Sequence, residues 1–291
     1  MNFKYFPGCT LYTKGKAFDD SGKAAAQKLG FTLEELPEWT CCGATFPLAA
    51  DNNMALLSPS RALINTKKEG GDKLVTLCAV CHNVLKRTSH VLNSDEARKK
   101  TVTAFLEEDY DNSVVVTHYL EILRDVIGFQ AVSEKVQKPL AGLKIAPFYG
   151  CLLLRPAEEM KMDDPDRPTI FENLIKALGG EVVDYPMKAE CCGAFQVVNS
   201  EATATRCSKE ILDSAKKRGA DLIVTACPLC QFNLEDRQKE IGASEQAFKE
   251  LPVLYFTELL ALALGGGEES IATDRHYIDP MPVLRARGLV G

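Results

Sequence analysis

The sequence predicts an α/β protein made of two pseudo-symmetric repeats. Each repeat is expected to be a small parallel sheet flanked by helices, with its cysteine sites at the strand C-terminal ends near the repeat interface. Three observations predict this. A five-cysteine pattern occurs twice, as Cys9, Cys41-Cys42, Cys78 and Cys81, and again as Cys151, Cys191-Cys192, Cys227 and Cys230. Short β-like runs alternate with helix-like runs in the same order in both halves, which is the pattern of a parallel sheet wrapped by helices. The flanking sequence repeats as well: Tyr5-Phe6-Pro7-Gly8-Cys9 matches Pro147-Phe148-Tyr149-Gly150-Cys151, and Leu74-Val75-Thr76-Leu77-Cys78 matches Ile223-Val224-Thr225-Ala226-Cys227. Self-similarity on this scale marks a duplicated structural unit.

In the first repeat the expected elements are a strand over 3–6, a helix over 14–29, a strand over 32–36, a helix over 53–69, a strand over 74–77 and a helix from 80. Gly30 supplies the stop of the first helix, since glycine adopts the left-handed conformation that closes one. The second repeat gives a strand over 143–149, a helix over 169–178, a strand over 181–185, a helix over 199–218, a strand over 221–226 and a helix through about 239. Farther on, His118-Tyr119-Leu120-Glu121-Ile122-Leu123 parallels Tyr255-Phe256-Thr257-Glu258-Leu259-Leu260. The Pro/Gly punctuation at Lys138-Pro139-Leu140-Ala141-Gly142 sets the boundary, giving domains 1–138 and 139–291, the second with a C-terminal tail.

The bulk properties exclude several classes. With 46% hydrophobic and 25% charged residues, the 291-residue chain reads as a globular protein with a real core. The net charge of −6, with no basic face, argues against nucleic acid as a partner. The start Met1-Asn2-Phe3-Lys4-Tyr5-Phe6 lacks a signal-peptide layout. The longest apolar run, 251–264, is interrupted by Glu258 and falls short of the roughly 20 residues a membrane span needs. The expectation is a cytoplasmic protein without a membrane span. In a reducing compartment its eleven cysteines do not read as a disulfide framework. Adjacent cysteines close a disulfide only with strain, and five per repeat cannot all pair internally.

All three cysteine elements of a repeat follow strands, and loops beyond the carboxyl ends of parallel strands converge on one edge. Each Cys-x-x-Cys is expected at a helix N-terminus, where free N–H groups and the helix dipole favour thiolate charge. Three readings stay open on the residues alone. Structural zinc takes four ligands and leaves a fifth cysteine over. A dithiol redox centre, suggested by Cys227-Pro228-Leu229-Cys230, leaves three per repeat without a role. An iron–sulfur cluster held by five thiolates would be larger or less usual than a common cubane. Cys78-Ala79-Val80-Cys81-His82 also meets the haem c attachment pattern, but Gln231 stands at the histidine position of the second repeat. His82 then reads as an ordinary polar residue on a first helical turn. Cys207, the odd cysteine, aligns with Leu57 and reads as a small core side chain.

The tandem arrangement resembles the cysteine-rich CCG domain, which is found twice in the B subunit of heterodisulfide reductase. The segments Tyr149-Gly150-Cys151-Leu152-Leu153-Leu154-Arg155-Pro156 and Cys227-Pro228-Leu229-Cys230-Gln231-Phe232-Asn233-Leu234 look most like it. The resemblance implies two non-cubane [4Fe-4S] clusters, one on Cys9, Cys41, Cys42, Cys78 and Cys81 and the other on Cys151, Cys191, Cys192, Cys227 and Cys230. It implies reductive cleavage of a disulfide, either CoM-S-S-CoB or an analogous small substrate, with no protein nucleophile. It also implies partners: the iron–sulfur C subunit and the FAD-containing A subunit of such a reductase, the latter bifurcating electron pairs, in complexes that include hydrogenase or formate dehydrogenase. The run Cys41-Cys42-Gly43-Ala44-Thr45-Phe46-Pro47, with Cys78-Ala79-Val80-Cys81-His82-Asn83, looks more like homologues from bacteria and other non-methanogens, for which the resemblance does not fix the acceptor. Two alternative functions are a non-catalytic electron-transfer subunit of an electron-bifurcating oxidoreductase complex and a zinc-stabilised interaction module. Lys14, Arg61, Arg87, Arg155 and Arg167 lie near cysteine loops, and Arg155 is the best candidate for substrate binding. Trp39 and Phe195 are expected to shield the sites from water. Gly43 and Gly193 are expected to admit close backbone approach.

Overall fold

A computed structural model describes residues 1–44 and 52–291. It contains two four-stranded parallel sheets, each flanked by helices. The first repeat contributes β1 (Asn2–Tyr5), β2 (Thr32–Glu35), β3 (Lys73–Thr76) and β4 (Val115–His118) in the order β2-β1-β3-β4. The second contributes β5 (Lys144–Phe148), β6 (Glu181–Val182), β7 (Leu222–Thr225) and β8 (Val253–Tyr255) in the order β6-β5-β7-β8. Every pairing is parallel, with Lys4 opposite Leu74 in one sheet and Ile145 opposite Leu222 in the other.

The helices lie close to their expected positions. They are α1 (Lys16–Leu29), α2 (Leu57–Lys68), α3 (Ala79–Ser94), α4 (Glu96–Leu106), α5 (Tyr119–Glu121) and α6 (Phe129–Glu134) in the first unit. In the second they are α7 (Ala157–Met160), α8 (Ile170–Ala177), α9 (Glu201–Lys217), α10 (Pro228–Asp236), α11 (Gln238–Ser244), α12 (Phe256–Ala261) and α13 (Met281–Ala286). Gly30 closes α1 at φ 90°, and its N–H reaches the Ala26 and Gln27 carbonyls. The strand expected over 181–185 pairs only at Glu181–Val182, because Pro186 starts a 3₁₀ turn just beyond it. The helix expected to run to 239 breaks at Arg237 into α10 and α11.

A fourth strand in each sheet adds to the sequence reading. β4 and β8 run straight into α5 and α12, and the main-chain N–H of His118 and of Tyr255 is capped by the carboxylate of Glu121 or Glu258, at 2.7 and 3.0 Å. Both helices then widen into a π turn, Ile122–Ile127 and Leu262–Gly266.

The two units exchange helices symmetrically. α1, which follows the first unit's β1, packs on α12, which follows the second unit's β8. In the opposite sense, α6 packs on α8. The α1–α12 seam combines stacked Phe18 and Tyr255 rings (4.3 Å, 3°) with a buried Ser21–Thr257 hydroxyl hydrogen bond of 2.6 Å. Apolar burial supplies most of the adhesion at about 25 cal/mol per Å², and the hydroxyl pair fixes the register of small residues. At the boundary expected near 138, the N–H groups of Gln137 and Lys138 donate to the Ala263 carbonyl at 2.9 Å, so the junction is tied down by the far end of the chain. Among the described residues no helix is long and apolar enough to cross a membrane.

Candidate functional site

The sheet edges carry the cysteines. Cys78 and Cys227 end β3 and β7 in extended backbone and form the N-caps of α3 and α10, so Cys81 and Cys230 fall on the first helical turn. The Cys9 and Cys151 loops leave β1 and β5 beside them. The Cys-Cys-Gly turns come in from the third side, where Gly43 (φ 85°) and Gly193 (φ 78°) turn their N–H groups onto the Sγ atoms of Cys41 (3.5 Å) and Cys191 (3.3 Å). That left-handed backbone favours glycine. Gly8 and Gly150 play the matching part in the first loops, because a Cβ on Gly8 would stand 2.6 Å from Cys81 Sγ and one on Gly150 3.2 Å from Cys230 Sγ.

Each set of five thiols converges. In the first unit Cys9 and Cys41 Sγ atoms are 3.5 Å apart, as are those of Cys42 and Cys81, and Cys78 borders Cys81. In the second, Cys192 and Cys230 Sγ atoms are 3.4 Å apart, Cys151 pairs with Cys191, and Cys227 borders Cys230. All five thiols of the second set line one small cavity of about 20 Å³ whose remaining walls include Val80, Leu152, Phe195 and Leu229. The Cys-x-x-Cys thiols are buried in both sets, whereas Cys9, Cys41 and Cys191 are exposed.

Thiols this close cannot all ionise without compensating charge. Hydrogen bonding with Cys41 and then Cys81 draws Cys42 down to about 4, while Cys41 is pushed up in return. Hydrogen bonding with Cys151 lowers Cys191 to about 6, and Cys151 is pushed up. Neighbouring thiols and then burial push up Cys81 and Cys230. A cationic centre among them would relieve this repulsion and turn all five into thiolates. Among the described residues no three His, Cys, Asp or Glu side chains are arranged to close on one metal ion. Five sulfurs per set are a number that suits a polynuclear group.

The two sets meet at the unit interface. The Ala79 N–H, one residue after Cys78, donates to the carbonyl of Ala226, one residue before Cys227, at 2.9 Å. Ala79 and Val80 of the first unit form part of the second unit's cavity wall. On one flank Asn83, two residues after Cys81, is buried and donates to the carbonyls of Leu152 (2.8 Å) and Arg155 (2.7 Å).

Other expected residues fall as follows. Arg155 donates to the carbonyls of Ala189 and Pro165, both at 3.1 Å, which ties the Cys151 turn to the loop ahead of Cys191. Lys14, Arg61 and Arg167 are exposed and Arg87 is half-buried. Trp39 packs edge-on against Phe6 at 5.5 Å and donates to Glu35. Phe195 lines the second cavity with 44% of its surface exposed, so it is an open wall rather than a complete shield. Cys207 is half-buried, not a core residue. It sits against Gly193, where a Cβ would meet it at 3.3 Å. Thr45, Phe46 and Pro47 lie outside the described residues.

Two buried polar clusters were not expected. His82 lies on the first turn of α3, as expected, and its burial is what the sequence did not show. It is fully buried, with Nε2 3.2 Å from Glu121 and its ring 5.3 Å from that of His118. Burial pushes Glu121 up, but His82 and Lys86 outweigh it and bring the carboxyl down to about 2. Burial and then His82 bring His118 down to about 3. His118 is therefore neutral, its Nε2–H donating to the Leu77 carbonyl (2.6 Å) and its Nδ1 accepting from the Leu120 N–H. In the second unit His276, from the C-terminal tail, is clamped between Glu235 and Glu258, each at 3.1 Å. Glu121 and Glu258 occupy equivalent capping positions, which was the one available signal.

Two α/β units, each collecting five thiols at one sheet edge and meeting back to back there, define a tandem thiolate-site protein. The cysteine-rich CCG domain matches residues 3–86 and 145–235, and the chain belongs to that family, carrying the domain twice. It is 33% identical over 280 residues to the membrane anchor subunit of the 8-methylmenaquinol:fumarate reductase of Wolinella succinogenes, covering 95% of this chain and 97% of that one. It is 29% identical over 287 residues to the B subunit of the ferredoxin/F(420)H(2)-dependent CoB-CoM heterodisulfide reductase of Methanosarcina acetivorans, covering 96% and 94% of the two chains. The structure of a hypothetical protein from Helicobacter pylori shares the fold, with a TM-score of 0.73 at 13% identity. That match covers 95% of this chain, which spans 51% of the other.

Proposed function

We propose that the chain is the iron–sulfur subunit of a heterodisulfide reductase-type complex and reductively cleaves a small disulfide, with residues 1–138 and 139–291 as its two cluster-bearing halves. Cys9, Cys41, Cys42, Cys78 and Cys81 would hold one [4Fe-4S] group of the non-cubane kind, and Cys151, Cys191, Cys192, Cys227 and Cys230 the other. The observation that carries this reading is the convergence of five thiols in each repeat, those of the second lining one apolar-walled cavity, a number zinc does not use. When bound, such groups supply electrons one at a time, and two of them match the two electrons of a disulfide. The balanced reaction is RS–SR′ + 2e⁻ + 2H⁺ → RSH + R′SH, with electrons from iron–sulfur and flavin-containing partner proteins in the cytoplasm.

The protein's own contribution is charge, shape and dryness. The helix N-termini after Cys78 and Cys227 and the amides of Gly43 and Gly193 hold thiolate charge. Val80, Leu152 and Leu229 keep water from the second set. Arg155 fixes the loop spacing between Cys151 and Cys191, and this positioning is its proposed part in substrate binding.

A second reading is favoured by the full-length relative named as a fumarate reductase anchor subunit. In it the groups relay electrons to a partner through the exposed edges at Cys9, Cys41 and Cys191. Electron paramagnetic resonance of the anaerobically purified, partly oxidised complex separates the two readings. A cluster signal that changes when thiol is added, together with turnover of a disulfide, supports cleavage. A signal indifferent to thiol, with no turnover, supports relay.

A further inference from the structure

We propose that the hydroxyls of Thr76 and Thr225 each donate a hydrogen bond to a sulfur of the iron–sulfur group in their own repeat, and that this bond holds the group's reduction potential up. The inference rests on the reading of the two thiol sets as iron–sulfur sites and gives each of them one further residue that the cysteine spacing does not mark.

Two matched orphans point to it. Thr76 is the last residue of β3 and Thr225 the last of β7, each two residues before the first cysteine of a Cys-x-x-Cys pair. Both side chains are fully buried. Neither hydroxyl has a hydrogen-bond partner among the described residues. Buried hydroxyls elsewhere in the fold show what pairing looks like: Ser21 donates to the Ala17 carbonyl at 2.6 Å and Thr66 to that of Ala62 at 2.8 Å. Those residues are helical and reach back four positions, an acceptor that a strand does not offer. Ser60 and Thr88 are also unpaired, but Thr76 and Thr225 alone are the same residue at the same position of both repeats. Buried polar groups are normally satisfied, so an unpaired hydroxyl repeated in both halves of a duplicated fold marks a partner the polypeptide does not supply.

Topology aims both hydroxyls at the thiols. In a sheet of order β2-β1-β3-β4 the β1–β2 and β2–β3 crossovers run in opposite directions. Right-handed connections then put α1 on one face and α2 and α3 on the other. Leu77 points to the α1 face, where a Cβ on Gly22 would stand 2.6 Å from it. Side chains alternate along a strand, so Thr76 points to the opposite face. There Cys78 caps α3 and Cys81 lies on its first turn. The second sheet repeats the order as β6-β5-β7-β8, which sets Thr225 beneath Cys227 and Cys230 of α10. Cys192 is held on that face too, its carbonyl bonded by Ser208 of α9 and Asn233 of α10.

The donor defines the effect. A hydroxyl can donate to a thiolate or to an inorganic sulfide. Hydrogen bonds to the sulfurs help set an iron–sulfur potential, and they favour the reduced, more negative state. Val80, Leu152 and Leu229 wall the second site with apolar surface, and a single buried donor counts for more in such surroundings than in water.

The test is a redox titration of the anaerobically purified complex, followed by paramagnetic resonance, with iron counted in parallel. Thr225→Val keeps the shape and removes the donor. It is expected to lower the midpoint of the second group by about 59 mV, a tenfold shift in a one-electron equilibrium, with the first group's midpoint and the iron content unchanged. Thr76→Val should move only the first group. Thr225→Ser, which keeps a hydroxyl, should hold the wild-type midpoint. A loaded valine variant with unmoved midpoints, or a serine variant that shifts as far as the valine one, would overturn the proposal. Where valine prevents folding, Thr225→Ala is measured in its place, and loss of iron from both would overturn it by making the hydroxyl a structural group. Wild-type protein without iron and acid-labile sulfide would defeat the iron–sulfur reading itself, and the proposal with it.

Discussion

Replacing His276 with alanine is expected to destabilise the protein by about 3–5 kcal/mol, the cost of leaving buried charge without its partner. The imidazole is 1% exposed and lies between two carboxylates that are fully buried. Glu235 also accepts from the N–H groups of Val253 and Tyr277, and Glu258 from those of Tyr255 and Ala272. The cluster therefore joins α10, β8, α12 and the tail at one point. Burial disfavours the imidazolium, but Glu258 and Glu235 outweigh it and hold His276 up to about 10, against 6.5 for a free imidazole. A raised folded-state value gives a definite sign: the contribution is complete below about pH 6.5 and is lost as pH rises through about 10. Urea denaturation of the wild type and of His276→Gln across that range checks this. The wild type should lose its advantage steadily with pH. An alanine variant within about 1 kcal/mol of wild type at pH 7 would show that the cluster carries little.

Cys192→Ser is expected to empty the second site and spare the first, removing about half of the bound iron. Cys192 is 2% exposed, with Sγ 3.4 Å from Cys230, and its carbonyl is held by Ser208 (3.3 Å) and Asn233 (3.1 Å). The backbone is therefore fixed independently of the side chain. Serine preserves the shape but offers a hydroxyl that stays protonated where a thiolate is needed. Iron analysis with resonance spectroscopy of the remaining signal reads the result. Unchanged iron and unchanged turnover would remove Cys192 from the ligand set.

Much of this was legible in the chain because the cysteines mark strand ends. In a parallel sheet, strand ends converge whatever the loop lengths. The placement of Cys78 and Cys227 as helix N-caps follows from that rule alone. The fourth strands escaped because β4 and β8 are short and pass into helices with no Gly or Pro between, although Glu121 and Glu258, three residues past the strand ends, are capping signals. The His276 clamp escaped for another reason. Its partners lie 41 and 18 residues away, and nothing local encodes a contact made by a tail folding back. His82 sits on the first helical turn as read, but its burial went unseen because Glu121 and His118, which pack against it, lie some forty residues on in the chain.

The central claim is that each repeat gathers its five thiols around an iron–sulfur group. The most direct measurement is iron, zinc and acid-labile sulfide per chain in protein purified without oxygen. Two four-iron groups predict about eight irons with a comparable amount of sulfide and no stoichiometric zinc. Zinc at one or two per chain with no acid-labile sulfide would contradict it.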